Sequence, residues 1–304
     1  MSQHVSRPRR YVTADVFTEH LFHGNPVAVV LEAQGLTPER MQAIAREFNY
    51  LESTFVLPPD DSTHSARVRI FTPVREVPFA GHPNIGTAFV LAREAADRGE
   101  TPLRHLIFEE AAGLVPIDLL WDDDVLVGAE LTCPEPFSRR GRVGVDEAAA
   151  CLGLDRADIR TADHAPQVVS VGLPFLTVEL ASRDALRRAR PDKAAYDRVL
   201  PLDGANSIYA YTRGRDPDEP ACDLQARMFT GYMVEDPATG SGTAAVSALV
   251  ADISGSEELA LRVRQGVDMG RPSTLLTRVT RDRGAFVVKL GGRCVRVMAG
   301  GLTT

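Results

Sequence analysis

The sequence predicts an α+β fold of two pseudo-symmetric halves, each a curled, mostly antiparallel sheet or barrel around a central helix. Three observations lead there. Strand patterns dominate the 304 residues, and no regular strand–helix alternation marks a doubly wound parallel sheet. The chain also echoes itself: Arg69-Ile70-Phe71-Thr72 and Gly86-Thr87-Ala88 return as Arg227-Met228-Phe229-Thr230 and Gly242-Thr243-Ala244. Finally, the helices that start at Thr87 and Thr243 are apolar on nearly every side. Each needs burial all round, which a wrapping of strands supplies.

Tyr11 to Phe17 and Asn25 to Leu31 are rich in Val and aromatics and read as strands. Thr37-Pro38-Glu39 opens a helix, with a capping hydroxyl, a proline at the first position and an acid in the first turn. Met41, Ile44, Ala45 and Phe48 give that helix one buried face. Glu52 to Leu57 reads as a strand after a very short turn. Ala66, Val68 and Ile70 alternate with Arg67 and Arg69, as in a half-buried strand. His105 to Cys133 reads as strand and hairpin, turning at Asp122 to Asp124. Val145 to Leu152 and Ser182 to Arg190 read as surface helices, and Val168 to Leu180 and Ser207 to Tyr211 as strands. Leu259 to Met298 reads as a run of short strands, and the polar stretch Pro134 to Arg142 as the crossing between halves.

Hydrophobic residues make up 44% and charged residues 25%, which is a globular composition. A net charge of −7 and the lack of a basic stripe argue against nucleic acid as a partner. Arg7, Arg9 and Arg10 read as part of a solvated polar terminus. That terminus lacks the apolar core of a signal peptide, and no apolar run reaches the ~20 residues of a membrane span. Cys133, Cys151, Cys222 and Cys294 are scattered, without disulfide or zinc spacing, which fits reduced thiols in a cytoplasmic protein.

The loops before the two apolar helices, Phe79-Ala80-Gly81-His82-Pro83 and Asp236-Pro237-Ala238-Thr239-Gly240-Ser241-Gly242, each feed a helix N-terminus. Unpaired N–H groups and the helix dipole favour an anion there, and glycine lets it approach. Tight, well-capped turns fit the same spacing. Glu52 reads either as a turn-capping surface carboxylate or, if partly desolvated, as an acid/base group with a raised pKa. His82 reads as a turn histidine or as a neutral hydrogen-bonding group favoured by the helix dipole. Asp236 either stabilises a helix start or, as a functional residue, orients a substrate amine or shares a proton with Glu52. Ser241 offers a hydroxyl to a carboxylate but lies in no nucleophile elbow. Thr239 to Gly242 has the look of a phosphate cradle without the lysine of a P-loop. His20 and His23 read as solvated loop histidines.

These residues resemble the phenazine-biosynthesis PhzF-like family. The resemblance is carried in order by Asp15-Val16-Phe17-Thr18, Gly24-Asn25-Pro26-Val27, Met41-Gln42, Ile44-Ala45-Arg46-Glu47-Phe48-Asn49, Glu52-Ser53-Thr54-Phe55-Val56, Arg69 to Pro73, Pro78 to Pro83, Glu235 to Ser241, Gln265-Gly266 and Gly270-Arg271-Pro272-Ser273. It implies a diaminopimelate-epimerase-like fold with the site in the cleft between the halves. Residues 1–130, joined by the last strand 291–304, would form one half and residues 131–290 the other. It implies an isomerase that shuttles a proton on a small carboxylate-bearing substrate without a cofactor, as in dihydro-3-hydroxyanthranilate isomerisation. Glu52 would be the acid/base, supported by His82, Asp236 and Ser241, with Gly81, Thr239 and Gly240 lining the carboxylate side. A homodimer is also implied. An epimerase, racemase or lyase, or a non-catalytic small-acid binder, stands as the alternative. Two-thiol racemisation is disfavoured, because neither helix start carries a cysteine. The chain departs from the family pattern at Tyr50, at Leu51, where Ser is frequent, and at Gly242, where Ala is common.

Overall fold

The computed structural model describes residues 8–213 and 221–303. The elements in chain order are β1 (Arg9–Val16), β2 (Asn25–Val30), α1 (Pro38–Phe48), β3 (Glu52–Leu57), β4 (Ala66–Phe71), β5 (Glu76–Val77), α2 (Gly81–Asp97), β6 (His105–Glu110), β7 (Gly113–Asp122) and β8 (Val125–Thr132). There follow β9 (Ser138–Arg142), α3 (Val145–Cys151), β10 (Gln167–Ser170), β11 (Pro174–Glu179), α4 (Arg183–Arg188), α5 (Lys193–Val199), β12 (Ser207–Thr212), β13 (Leu224–Thr230), β14 (Glu235–Asp236), α6 (Gly240–Ser254), β15 (Glu258–Gln265), β16 (Ser273–Asp282) and β17 (Ala285–Leu302). The chain divides into two compact units, one running to Leu131 and resuming at Gly292, the other spanning Thr132–Gly291.

In the first unit the strand order is β17, β1, β2, β3, β4, β6, β7, β8, and β8 pairs back to β17 to close the ring. The pairings are antiparallel except β2–β3 and β4–β6, which are parallel. Helix α2 is buried against β1, β2, β3 and β7. In the second unit the order is β9, β10, β11, β12, β13, β15, β16, β17, again antiparallel except at the corresponding places, β11–β12 and β13–β15. Helix α6 packs there on β10, β11, β15 and β16. Each apolar helix thus finds the strand wrapping that its composition demands.

The internal echo holds at the level of side chains. Arg69 makes a two-pronged ion pair with Glu76, at 2.7 Å for each bond, and its guanidinium lies 5.2 Å from the centre of the Phe71 ring. Arg227 does the same with Glu235, at 2.8 and 2.7 Å, and lies 4.8 Å from the Phe229 ring. Thr54 shares a 2.8 Å hydroxyl bond with Thr87 on α2, and Tyr209 a 2.7 Å bond with Thr243 on α6. Thr54 stands opposite Ile70, and Tyr209 opposite Met228, so the two bonds occupy matching positions.

Outside these sheets, α1 buries Met41, Ile44 and Ala45 with Val30, Phe55 and Phe71. Its N-cap is the one the sequence predicts, with Thr37 accepting from the Arg40 N–H; at the other end Asn49 closes the helix in the left-handed conformation. In the second unit α3, α4 and α5 bury Ala149, Leu186 and Tyr196 with Leu176, Ile208 and Phe229.

Several expectations change. Val168 to Leu180 is a hairpin, not one strand, because Gly172 turns the chain with a positive φ. The C-terminal run holds long strands: β17 alone has 18 residues and passes from the second unit into the first. Pro134 to Arg142 lies inside the second unit, and its end is β9. Arg9 and Arg10 belong to β1, where Arg9 donates to the Glu32 carbonyl at 2.6 Å and Arg10 pairs with Glu94. Arg7 lies outside the described residues. No helix among them is long and apolar enough to cross a membrane.

Candidate active site

Both glycine-bearing loops fold tighter than expected. Helix α2 starts at Gly81 and α6 at Gly240, so His82 and Ser241 are second residues of helices rather than loop residues. Pro83 fits inside the first turn of α2, because the N–H it lacks has no helical partner there.

In the first unit, parallel pairing sets Val27 of β2 beside Glu52 at the start of β3. The turn before Asn25 needs Gly24, whose φ is +66° and where a Cβ would lie 2.3 Å from the Val16 carbonyl oxygen. His82 reaches both strand starts. Its Nδ1 is 3.4 Å from Asn25 Nδ2, and its Nε2 is 3.7 Å from a Glu52 carboxylate oxygen. The second separation is beyond hydrogen-bond range. The imidazole is 6% exposed, and burial drives its pKa down to about 3, a bond to the Pro26 backbone opposing weakly. His82 is therefore neutral, and its approach to Glu52 is not an ion pair. Neutrality agrees with the sequence reading, but its cause is desolvation rather than the helix dipole. The Glu52 side chain is 21% exposed, so a ligand can reach it.

In the second unit, Asp236 is 7% exposed at the end of β14. One carboxylate oxygen accepts from the Ala238 N–H at 3.4 Å, the other from the Thr239 hydroxyl at 2.5 Å. Gln265 locks the same loop: it accepts from the Thr239 N–H at 3.0 Å and donates to the Asp236 carbonyl at 2.8 Å and to the Thr239 hydroxyl at 3.0 Å. Ser273 donates to the Pro237 carbonyl at 3.0 Å. Gly266 sits close beneath, with φ +73° and only 2.6 Å from a would-be Cβ to the Pro237 oxygen. The Thr239 hydroxyl is thus part of the loop's framework. The half-exposed Ser241 carries its hydroxyl on the first turn of α6.

The structure brings Glu52 and His82 together in one unit, and Asp236, Thr239, Gly240 and Ser241 in the other. Asn25, Gln265 and Ser273 carry no role in the sequence reading, although each lies in a quoted motif. Matching the units through Thr54 and Tyr209 makes Ser207 the counterpart of Glu52, so the second unit offers no carboxylate at that position. The cysteines form no disulfide, and burial raises the thiols of Cys133 and Cys294 to about 12 and Cys151 to about 11. The His20 and His23 rings meet edge to face at 5.7 Å, and no metal-holding cluster occurs among the described residues.

A trans-2,3-dihydro-3-hydroxyanthranilate isomerase from Pseudomonas aeruginosa is 37% identical over 280 residues, covering 88% of this chain and 90% of that one. An uncharacterized isomerase from Mesorhizobium japonicum is 37% identical over 306 residues, covering 97% and 98%. The crystal structure of a PhzF-family phenazine biosynthesis protein from Bacillus anthracis superposes with a TM-score of 0.87 at 24% identity, covering 98% of this chain and 100% of that one. The family model for phenazine biosynthesis-like proteins matches residues 14–300, a span that holds both loops and all the site residues named above, and the chain belongs to that family.

Proposed function

We propose that the protein is a cofactor-independent isomerase that moves a proton within a small carboxylate-bearing substrate, with Glu52 as general acid and base. The observation that carries this reading is the placement of a reachable Glu52 carboxylate 3.7 Å from a buried, neutral His82 at the start of α2. Glu52 takes a proton from one carbon, the electron pair shifts through the adjoining double bonds, and the proton returns at another carbon. Atoms and electrons balance within the substrate, so no redox partner enters. His82 is a neutral polar group suited to a hydrogen bond with a bound substrate, and it brings no charge to the site. First-turn N–H groups of α2, and those of α6 with the Ser241 hydroxyl, are the groups suited to a carboxylate. Asp236 and Gln265 keep the α6 loop in shape. The names of the relatives point the same way, and the Ser207 counterpart of Glu52 supports one base rather than two.

The test is turnover of trans-2,3-dihydro-3-hydroxyanthranilate and a panel of small cyclic and amino acids by wild type and Glu52→Gln. Loss of a positioned acid/base costs about 10²- to 10⁴-fold. Full turnover by Glu52→Gln on a substrate the wild type converts would end the assignment.

A further inference from the structure

Among the side chains of the first unit that carry buried polar atoms without a hydrogen-bond partner, Asn84 and Glu110 lie next to each other. Both Glu110 oxygens, and both the oxygen and nitrogen of the Asn84 side chain, are buried without a hydrogen bond of ordinary geometry. Asn84 is on α2, two residues after His82, and is 0% exposed. Glu110 ends β6 beside it, and the Asn84 amide is near enough to pull on the carboxyl proton. Four such orphans would be costly apart. Together they match. A carboxylic acid donates its O–H to the amide oxygen and accepts one of the two amide N–H groups at its carbonyl oxygen, and so the two join by two bonds. A carboxylate offers acceptors only and would leave the Asn84 oxygen unmatched.

The internal repeat supports the pairing. β4 sets Arg67 opposite Glu109, and β13 sets Gln225 opposite Arg264. Arg67 and Gln225 each stand four residues before the matching Phe71 and Phe229, so Glu110 is the counterpart of Gln265. Gln265 holds the loop before α6 with one donated and one accepted backbone bond. We propose that Glu110, as a neutral acid paired with Asn84, is a positioning residue for the first turn of α2 and hence for His82. The inference rests on the reading of Glu52 and His82 as the reacting site.

Burial pushes the Glu110 carboxyl up to about 8, with Asn84 opposing slightly and no charge contributing. Of the charged neighbours, Arg69 pairs with Glu76 and Glu109 with His64, while Arg67 pairs with Asp60 through Nη1 and keeps its buried Nε without a hydrogen-bond partner. The adjoining turn is tied in as well, since Ala112 donates to the Pro78 carbonyl at 3.2 Å. An open cavity of about 350 Å³, lined by Val77, Pro78 and Glu110 among others, brings solvent up to the Glu110 side chain.

The experiment is amide hydrogen exchange at residues 84–88, the first amides of α2 held by helical hydrogen bonds, corrected for intrinsic rate, at pH 6.5 and 9.5 in wild type, Glu110→Gln and Glu110→Leu. Wild type is expected to lose about tenfold protection at the higher pH, the effect of one or more units past the titration. Glu110→Gln, whose amide still pairs, should keep full protection at both, and Glu110→Leu should be low at both. Equal pH dependence in wild type and Glu110→Gln, or undiminished protection in Glu110→Leu, overturns the proposal. On any substrate whose turnover needs Glu52, Glu110→Gln should keep kcat and lose the fall above about pH 8; a shared alkaline fall also overturns it. An active Glu52→Gln would instead sink the functional reading and leave the exchange result standing.

Discussion

Gly242 is the sharpest test of how the second unit packs. A Cβ there would lie 2.4 Å from Tyr209 Cδ2, 2.9 Å from Cε2 and 3.3 Å from Cγ. Ordinary contact begins near 3.4 Å, so Gly242→Ala must displace the ring by about 1 Å. The ring has nowhere to go: it is 0% exposed, its hydroxyl is bonded to Thr243, and Phe175 meets it edge on at 6.4 Å. Overpacking of this kind costs about 1–3 kcal/mol. Replacing glycine within a helix returns at most about 1 kcal/mol, less in the first turn. The net loss is about 1–2 kcal/mol, or roughly 2–6 °C in Tm for a domain of this size. Differential scanning calorimetry measures it. Tyr209→Thr installs the residue type that Thr54 supplies in the first unit. In that background Gly242→Ala should be neutral or stabilising, although Tyr209→Thr alone costs several kcal/mol. An unchanged Tm in the single variant, or the same loss in both backgrounds, refutes the packing argument. The buried Tyr209 ring leaves room for glycine alone at position 242.

Three further outcomes follow from the geometry. The His82 imidazole should remain neutral at pH 5 by ¹⁵N NMR. Its folded pKa is about 3, so the unfolded chain takes up the proton first and stability falls as pH drops from 6.5 toward 3; titration near its ordinary value would contradict the burial. Gln265→Ala strands the Thr239 N–H and the Asp236 carbonyl, with an expected loss of about 2–4 kcal/mol by urea unfolding, whereas a loss under about 0.5 kcal/mol would remove its clamping role. Arg227→Met should destabilise more than Arg69→Met. The Arg227 side chain is 6% exposed and also donates to the Leu186 and Ala189 carbonyls, whereas that of Arg69 is 26% exposed; equal losses would contradict that difference.

What the sequence discloses here is what local chemistry and short periods can carry. The Thr37 cap, the face of α1 and the extent of β3 are each decided within a dozen residues. The two apolar helices are legible because apolarity all round leaves no other solution. Their starts are not: Gly81, Pro83, Gly240 and Gly242 argue locally for turns, and only packing inside the sheets holds those residues helical. β17 reads as short strands because Gly291, Gly292, Gly300 and Gly301 look like breaks, whereas Gly300 serves close packing, with a would-be Cβ 2.8 Å from the Tyr11 ring. α5 escapes that reading though its signal is present, since Asp192 caps it by accepting from Ala195 at 2.8 Å. At the site, Glu52 and His82 emerge from resemblance. Their 3.7 Å approach and the neutrality of His82 depend on burial that no window of sequence shows. The clamp by Gln265 joins residues 26 apart, and the Glu110–Asn84 pair also joins residues distant in sequence.

In the proposed mechanism one base, Glu52, both removes and returns the proton. The measurement is proton and deuterium NMR of trans-2,3-dihydro-3-hydroxyanthranilate in D2O with wild type and Glu52→Gln, alongside binding of the same compound to both. The Glu52 side chain is 21% exposed, so a proton it holds is open to exchange with D2O. Wild type is expected to give an isomer with deuterium at the newly protonated carbon and no inversion elsewhere, while Glu52→Gln binds within a few-fold and forms none. Isomer formed by Glu52→Gln at the wild-type rate, or inversion at a stereocentre by wild type, would contradict it.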